Sequence, residues 1–190
     1  MNIRPYQKKD FRYVQDICMA TSKHSDSDTP ENRAYLCALY CDYYLDNQAE
    51  FCFVAVDEED IPIGYILCAA DATDYEENMQ QLYLPLVRKV ASGEYFRFAA
   101  ESRMFQQYVS MGYTAHLHIN VLPDYQRQGL GTKLLDTVEQ KLKELFVEGV
   151  YLVCARNNAD ARKFYESRGF EDIDYPTGLV VYGKKFFKED

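Results

Sequence analysis

The chain reads as a single α/β domain, and three observations predict this. Segments with strand-like alternation and segments with helical spacing interleave along its 190 residues. Apolar residues make up 47% of the chain, enough for one real core, and a second autonomous domain would be cramped in this length. Residues 117–145 pass from an alternating strand through a glycine turn into an amphipathic helix, the strand-to-helix handover of an α/β unit.

The elements follow in order. A short first strand is expected at Ile3 to Pro5, then helices near Phe11 to Ala20 and Arg33 to Leu45, with the polar Ser22 to Asn32 loop between them. Phe51 to Val56 and Ile63 to Cys68 read as strands joined by the acidic turn Asp57-Glu58-Glu59-Asp60, hence antiparallel. The stretch of about forty residues from Ala69 to Gly112 is longer than a hairpin connection needs. It reads as a helical insertion, about residues 70–112, between the third and fourth strands. Leu82, Leu84, Leu86, Val87 and Val90 mark one segment, and Phe98, Met104, Phe105 and Val109 another. This insertion is either a cap walling a pocket or a lateral packing or dimerisation element. A strand follows from about Tyr113 to Leu122. The helix from Gly131 to Phe146 rests on the apolar face of Leu134, Leu135, Val138, Leu142 and Leu145. Val150 to Ala155 is a strand and Asn158 to Arg168 a helix, stopped by Gly169 in the position that favours a left-handed cap. Two last strands, around Phe170 to Tyr175 and Leu179 to Phe187, form a hairpin.

Composition narrows the partners. A net charge of −9 argues against nucleic acid, because a phosphate backbone wants a basic face, and is compatible with a cationic amine. No apolar run reaches membrane-spanning length and Met-Asn-Ile-Arg-Pro lacks the apolar stretch of a signal peptide, so a cytoplasmic protein with no membrane partner is expected. The six cysteines, Cys18, Cys37, Cys41, Cys52, Cys68 and Cys154, show no C-x-x-C pairing. Buried thiols in a reducing compartment explain them better than a disulfide frame or a zinc site. Monomer and homodimer both stay open.

The strongest functional signal is Gln126-Arg127-Gln128-Gly129-Leu130-Gly131-Thr132 after the turn Pro123-Asp124-Tyr125. Glycine lets the chain turn tightly and an anion approach the backbone, while the free amides and dipole of the helix N-terminus hold negative charge. A diphosphate is the natural guest. A nucleotide-binding P-loop is excluded, since Gly-Lys-Ser/Thr is missing and Thr132 precedes Lys133. On the preceding strand His116, His118 and Asn120 alternate with Ala115, Leu117, Ile119 and Val121, giving it a polar face. With an ordinary pKa near 6.5, His118 reads either as a base or as a buried neutral histidine hydrogen-bonded to structure.

These residues resemble the GCN5-related N-acetyltransferases, whose Gln/Arg-x-x-Gly-x-Gly/Ala loop is matched in full by Gln126 to Gly131. The similarity extends to the strand ending Val121-Leu122-Pro123, to Asn158-x-x-Ala161-x-x-Phe164-Tyr165, and to Arg168-Gly169-Phe170. It implies a mixed, mostly antiparallel sheet of about six to seven strands flanked by helices. It also implies acetyl-CoA as the cofactor, without a metal, and acetyl transfer to a primary amine of a small molecule or peptide by direct attack in a ternary complex. By the same resemblance Ile119 and Val121 hold the pantetheine arm through their backbone, Leu122 belongs to that wall, and Gln126, Arg127, Gln128, Gly129, Leu130, Gly131 and Thr132 hold the pyrophosphate. Tyr165 corresponds to the tyrosine that protonates the departing thiolate. Asn158 corresponds to an asparagine at the sulfur end and reads equally as an N-cap.

In several family members the base stands at the other parity of the strand, here Ala115 and Leu117, and a bulge would bring His118 there. Glu101 in the insertion is a further candidate. Ile3-Arg4-Pro5-Tyr6 with Asp10, Asp16-Ile17-Cys18, Gly64-Tyr65-Ile66, Leu84-Pro85-Leu86 with Arg88 and His116-Leu117-His118-Ile119 look like the acetyltransferase-like group that includes domains attached to O-GlcNAc hydrolases. A non-catalytic acyl-CoA-binding module is the alternative function.

Overall fold

The computed structural model describes residues 1–22, 28–90, 106–174 and 178–187. Its centre is a seven-stranded open sheet in the order β1-β2-β3-β4-β5-β7-β6. The strands are β1 (Asn2–Pro5), β2 (Phe53–Val56), β3 (Pro62–Ala69), β4 (Ala115–Val121), β5 (Gly149–Ala155), β6 (Glu171–Asp174) and β7 (Leu179–Lys185). Every neighbouring pair is antiparallel except β4 and β5, which run parallel. The expected mixed, mostly antiparallel sheet is therefore present.

Helices cover both faces. On one lie α1 (Phe11–Thr21), α2 (Pro30–Tyr40) and α3 (Asp42–Asn47), packed with Tyr65, Leu67 and Tyr151 of the sheet. The insertion joins them as α4 (Ala72–Asn78), a π-helical turn (Met79–Tyr83), α5 (Leu84–Val90) and α6 (106–110). Tyr75, Met79, Tyr83, Leu84, Val87 and Tyr108 bury into the same core, so this part of the insertion packs laterally. Phe98, Glu101, Met104 and Phe105 lie outside the described residues, as does most of the Ser22 to Asn32 loop. On the other face lie α7 (Leu130–Glu144) and α8 (Ala159–Ser167). Leu134, Leu135, Val138 and Leu142 of α7 are fully buried against Ile66, Leu117 and Leu152. Each such side chain contributes roughly 1.5–3 kcal/mol, and truncating Leu135 to alanine would cost about 2–5 kcal/mol.

The structure corrects several boundaries. The expected helix Arg33 to Leu45 is two helices. It starts earlier because Pro30 occupies the first turn and Thr29 Oγ1 accepts from the Asn32 amide at 3.2 Å. It breaks at Cys41, whose backbone leaves the helical region at φ −141°, ψ −41°. The second strand begins at Phe53 because residues Ala49–Phe51 form a 3₁₀ turn. The last strands are shorter than expected, and Tyr175 lies outside the described residues. Gly169 does end α8 with φ +79°.

Candidate active site

The parallel pair β4 and β5 is where the sheet opens. They pair only at Ala115 with Val150 and His116 with Tyr151. Beyond that point β4 stays on β3 through Val121, and β5 stays on β7 through Ala155. Each strand keeps its outer neighbour while the facing edges part, so the alternate backbone groups that point away from β3 and β7, those of Leu117, Ile119 and Val121 and of Val153 and Ala155, front a wedge rather than each other. A free strand edge offers amide donors and carbonyl acceptors to an extended chain.

At the end of this wedge stands the N-terminus of α7. Its N-cap is Gly129, with φ +80°, and among the described residues no side chain caps the first turn, which itself carries no acidic group. Amides at such a terminus point outward and favour an anion. The two glycines do different work. A Cβ on Gly129 would meet nothing within 4 Å, so glycine is needed there for the left-handed backbone and leaves open space in front of the turn. A Cβ on Gly131 would lie 3.3 Å from Phe164 Cζ, so this glycine lets α8 close against α7.

The loop side chains divide in the same way. Gln126 Nε2 donates to the Val121 carbonyl at 2.9 Å and Gln128 Nε2 to the Asp124 carbonyl at 3.1 Å, both bracing the loop itself. Arg127 is exposed, with φ +61°. Leu130 is a core residue, 2% exposed, while Thr132 is half-buried on the first turn of α7. Ile119 and Val121 are half-buried, with side chains packed against the α7 core, which leaves their backbone as the part that faces the wedge; Leu122 packs there too, but its amide donates to the Ile63 carbonyl and its carbonyl accepts from the Tyr125 amide, both at 2.9 Å. Asn158 caps α8: its Oδ1 accepts from the Ala161 amide at 3.2 Å.

Tyr165 and His118 approach the sheet from opposite faces. The Tyr165 ring is 8% exposed among Phe164, Phe170 and Tyr182 on the α7–α8 side. Its hydroxyl has no hydrogen-bond partner among the described residues. Burial, with a smaller contribution from Cys154, raises its pKa, so it stays a protonated phenol across the physiological range. His118 is on the α1–α2 side, stacked on Tyr40 at 5.3 Å between centroids, with Nδ1 3.2 Å from the Tyr65 hydroxyl and a further ring hydrogen bond to the Tyr40 backbone. Burial lowers its pKa to about 4, so it is neutral at pH 7. β4 pairs with β3 in unbroken register, so no bulge shifts His118 to the other parity. His116 is a second neutral imidazole, 2.7 Å from the Tyr44 hydroxyl and pushed down to about 3 by burial.

Sequence reasoning missed Tyr65. Its hydroxyl, fully buried, also accepts from Asn120 Nδ2 at 3.0 Å, so one phenol joins both polar residues of β4 nearest the wedge. The signal available was its position directly opposite Asn120 on an antiparallel neighbour.

Comparison with known proteins agrees with this fold. The crystal structure of SsHAT superposes with a TM-score of 0.84 at 27% identity, covering 98% of both chains. The PaiA N-acetyltransferase from Thermoplasma acidophilum in complex with coenzyme A gives 0.63 at 16% identity, covering 97% of this chain and 98% of that one. The Escherichia coli ribosomal-protein-S18-alanine N-acetyltransferase gives 0.56 at 17% identity, covering 100% and 96%. The last two show the fold alone. In sequence, the [ribosomal protein bS18]-alanine N-acetyltransferases of Escherichia coli K12 and Shigella flexneri are 42% identical over 65 residues. That stretch is 32% of this chain and 44% of theirs, so the match spans less than half the length of these curated relatives. Residues 11–170 match the acetyltransferase (GNAT) family, and with most of its length accounted for in this way the chain belongs to that family.

Proposed function

We infer that the protein is an acetyl-CoA-dependent N-acetyltransferase that transfers the acetyl group directly to a primary amine in a ternary complex, with no metal in the reaction. The observation that carries this is the parting of β4 and β5 beside the uncapped, glycine-led N-terminus of α7. In this reading the first-turn amides of Gly129, Leu130, Gly131 and Thr132 hold the pyrophosphate, with Arg127 at its edge. Val121, Ile119 and Leu122 line the pantetheine arm, and Gln126 and Gln128 keep the loop in shape. Asn158 sets the start of α8 and so the position of Tyr165.

The amine nitrogen attacks the thioester carbonyl carbon, the C–S bond breaks, and the thiolate takes a proton from the Tyr165 phenol. The proton shed by the amine restores the phenol through water, so the products are amide and CoA thiol. Holding both reactants in one wedge converts a bimolecular step into an intramolecular one. The acceptor arrives from the α1–α2 side, where His118, tied to Tyr65 and Tyr40, positions the Tyr65–Asn120 pair. The E. coli relative is named an alanine N-acetyltransferase of ribosomal protein bS18, and a peptide amine joins small amines as an acceptor class here. The finer likeness to the group with domains attached to O-GlcNAc hydrolases rests on the sequence motifs from Ile3 to Tyr6 through His116 to Ile119 and does not bear on the acceptor.

The test measures CoA thiol release and acetylated product over a panel of small amines and peptides. Equal amounts of both with at least one acceptor support the enzyme. Tight acetyl-CoA binding without turnover on any acceptor supports the non-catalytic module.

A further inference from the structure

Three of the six cysteines converge in one place, outside the machinery described so far. Cys18 comes from α1, Cys37 from the last turn of α2 and Cys41 from the break between α2 and α3. All three are at most 2% exposed. The break at Cys41 also turns the next residue, Asp42, back onto them. The Cys37 and Cys41 sulfurs and an Asp42 carboxylate oxygen lie within 4.8 Å of one another, and Cys18, outside that set, neighbours both thiols across the α1–α2 contact.

We propose that Cys18, Cys37, Cys41 and Asp42 form a four-ligand zinc site that locks the α1–α2–α3 layer. Sulfur is soft and zinc takes it together with oxygen in a closed tetrahedron, with Zn–S near 2.3 Å and ligand atoms therefore roughly 3.5–3.8 Å apart. Cys37, Cys41 and Asp42 reach that by closing in by up to about 1 Å, and Cys18, which lies outside their 4.8 Å set, completes the tetrahedron by turning its thiol onto them. A disulfide is the competing chemistry and the backbone opposes it for the central pair. Residues one turn apart on a helix have Cβ atoms about 5–6 Å apart, whereas a disulfide needs about 3.5–4.5 Å. Two ligands at i and i+4, the second at the helix C-cap where the Cys41 amide still donates to the Cys37 carbonyl at 2.9 Å, are instead a spacing that holds a shared ion.

The surroundings are those of ligands held from behind. Gln15 Nε2 donates to Asp42 Oδ1 at 3.0 Å, and the Tyr65 hydroxyl lies against Cys18. Three thiolates and a carboxylate around Zn²⁺ leave a net −2, and N–H and O–H donors to the ligands are what offset such a charge. Through Tyr65 the site also abuts His118 and Asn120, so filling it would stiffen the acceptor-side face. The site does not depend on the proposed acetyl transfer, and its test does not read activity.

The experiment uses tag-free full-length protein purified under reducing conditions without chelator. Elemental analysis should find about one zinc per chain, and Co²⁺ replacing it should give an intense thiolate-to-metal absorption. A chelator should make Cys18, Cys37 and Cys41 reactive to alkylation while Cys154 is unchanged, and Cys37→Ser/Cys41→Ser should lose the metal. Zinc below about one tenth per chain with no cobalt–thiolate absorption would overturn the site. So would unchanged metal in the double variant, or a disulfide joining any two of the three cysteines. If the double variant fails to fold, the cobalt spectrum and alkylation pattern of the wild type decide.

Discussion

Replacing Gly129 with alanine separates the fold's need for that glycine from the ligand's. Its φ of +80° places any L-residue in the left-handed region, at about 1–2 kcal/mol. The added Cβ meets no protein atom within 4 Å, so strain is the whole of the folding penalty. For a chain of this size that is a Tm drop of about 2–8 °C, at 2–4 °C per kcal/mol. The methyl group instead occupies the space in front of the α7 amides, where the pyrophosphate is proposed to sit. Coenzyme A affinity should fall at least tenfold, about 1.4 kcal/mol or more, beyond what folding alone explains. Gly131→Ala is the internal control: its Cβ presses Phe164 at 3.3 Å and points away from that space. Gain of helix propensity, about 1 kcal/mol, offsets the contact. Stability should change by less than about 1 kcal/mol and affinity less than for Gly129→Ala. Thermal unfolding and calorimetric titration with CoA read both quantities. Wild-type CoA affinity in folded Gly129→Ala would refute the assignment of this turn to the pyrophosphate.

Three further outcomes follow from the site. Tyr165→Phe keeps the packed ring and removes only the hydroxyl, so kcat should fall about 10²-fold or more with the KM for acetyl-CoA nearly unchanged; an unaltered kcat removes the phenol from the mechanism. His118→Asn should lower turnover without moving the pH–rate profile, because a group held near pKa 4 is neutral throughout the assay range and the rising limb belongs to the amine; loss of that limb in the variant would make His118 the base. His116 has its folded pKa lowered to about 3 from an ordinary 6.5, so its contribution is present above pH 6.5 and is lost as pH falls toward 3. Linkage puts that loss at about 3 kcal/mol between pH 7 and pH 4. Urea unfolding should show it in the wild type and a flatter dependence in His116→Asn, whereas parallel curves would contradict the burial of a neutral ring.

What the sequence disclosed and what it hid divide along locality. The Gln126 to Thr132 loop was legible because glycine's conformational freedom and helix-start chemistry act over a few residues. Gly169 and the acidic hairpin turn were legible for the same reason. The break at Cys41 was not, since neither proline nor glycine marks it and the turn is imposed by packing of α3 beneath the sheet. The wedge was legible only through the family resemblance, which implied free backbone groups at Ile119 and Val121: strand pairing is a long-range property, and nothing in the residues of Leu117 to Val121 themselves announces that one edge will be left free. The polar face of β4 was visible by alternation, but its partners Tyr40, Tyr44 and Tyr65 come from distant segments, so base and buried imidazole could not be told apart. The thiols likewise looked scattered because Cys18 meets Cys37 and Cys41 only when α1 packs on α2.

The most direct measurement is simultaneous quantification of CoA thiol and acetylated amine from acetyl-CoA, run on the wild type and on Tyr165→Phe with the same acceptor panel. Equimolar thiol and N-acetyl product from the wild type, depressed in the variant at equal acetyl-CoA occupancy, is the result predicted here. Saturable acetyl-CoA binding with no acetylated amine from any acceptor, or identical turnover in the two proteins, would contradict acetyl transfer at this wedge.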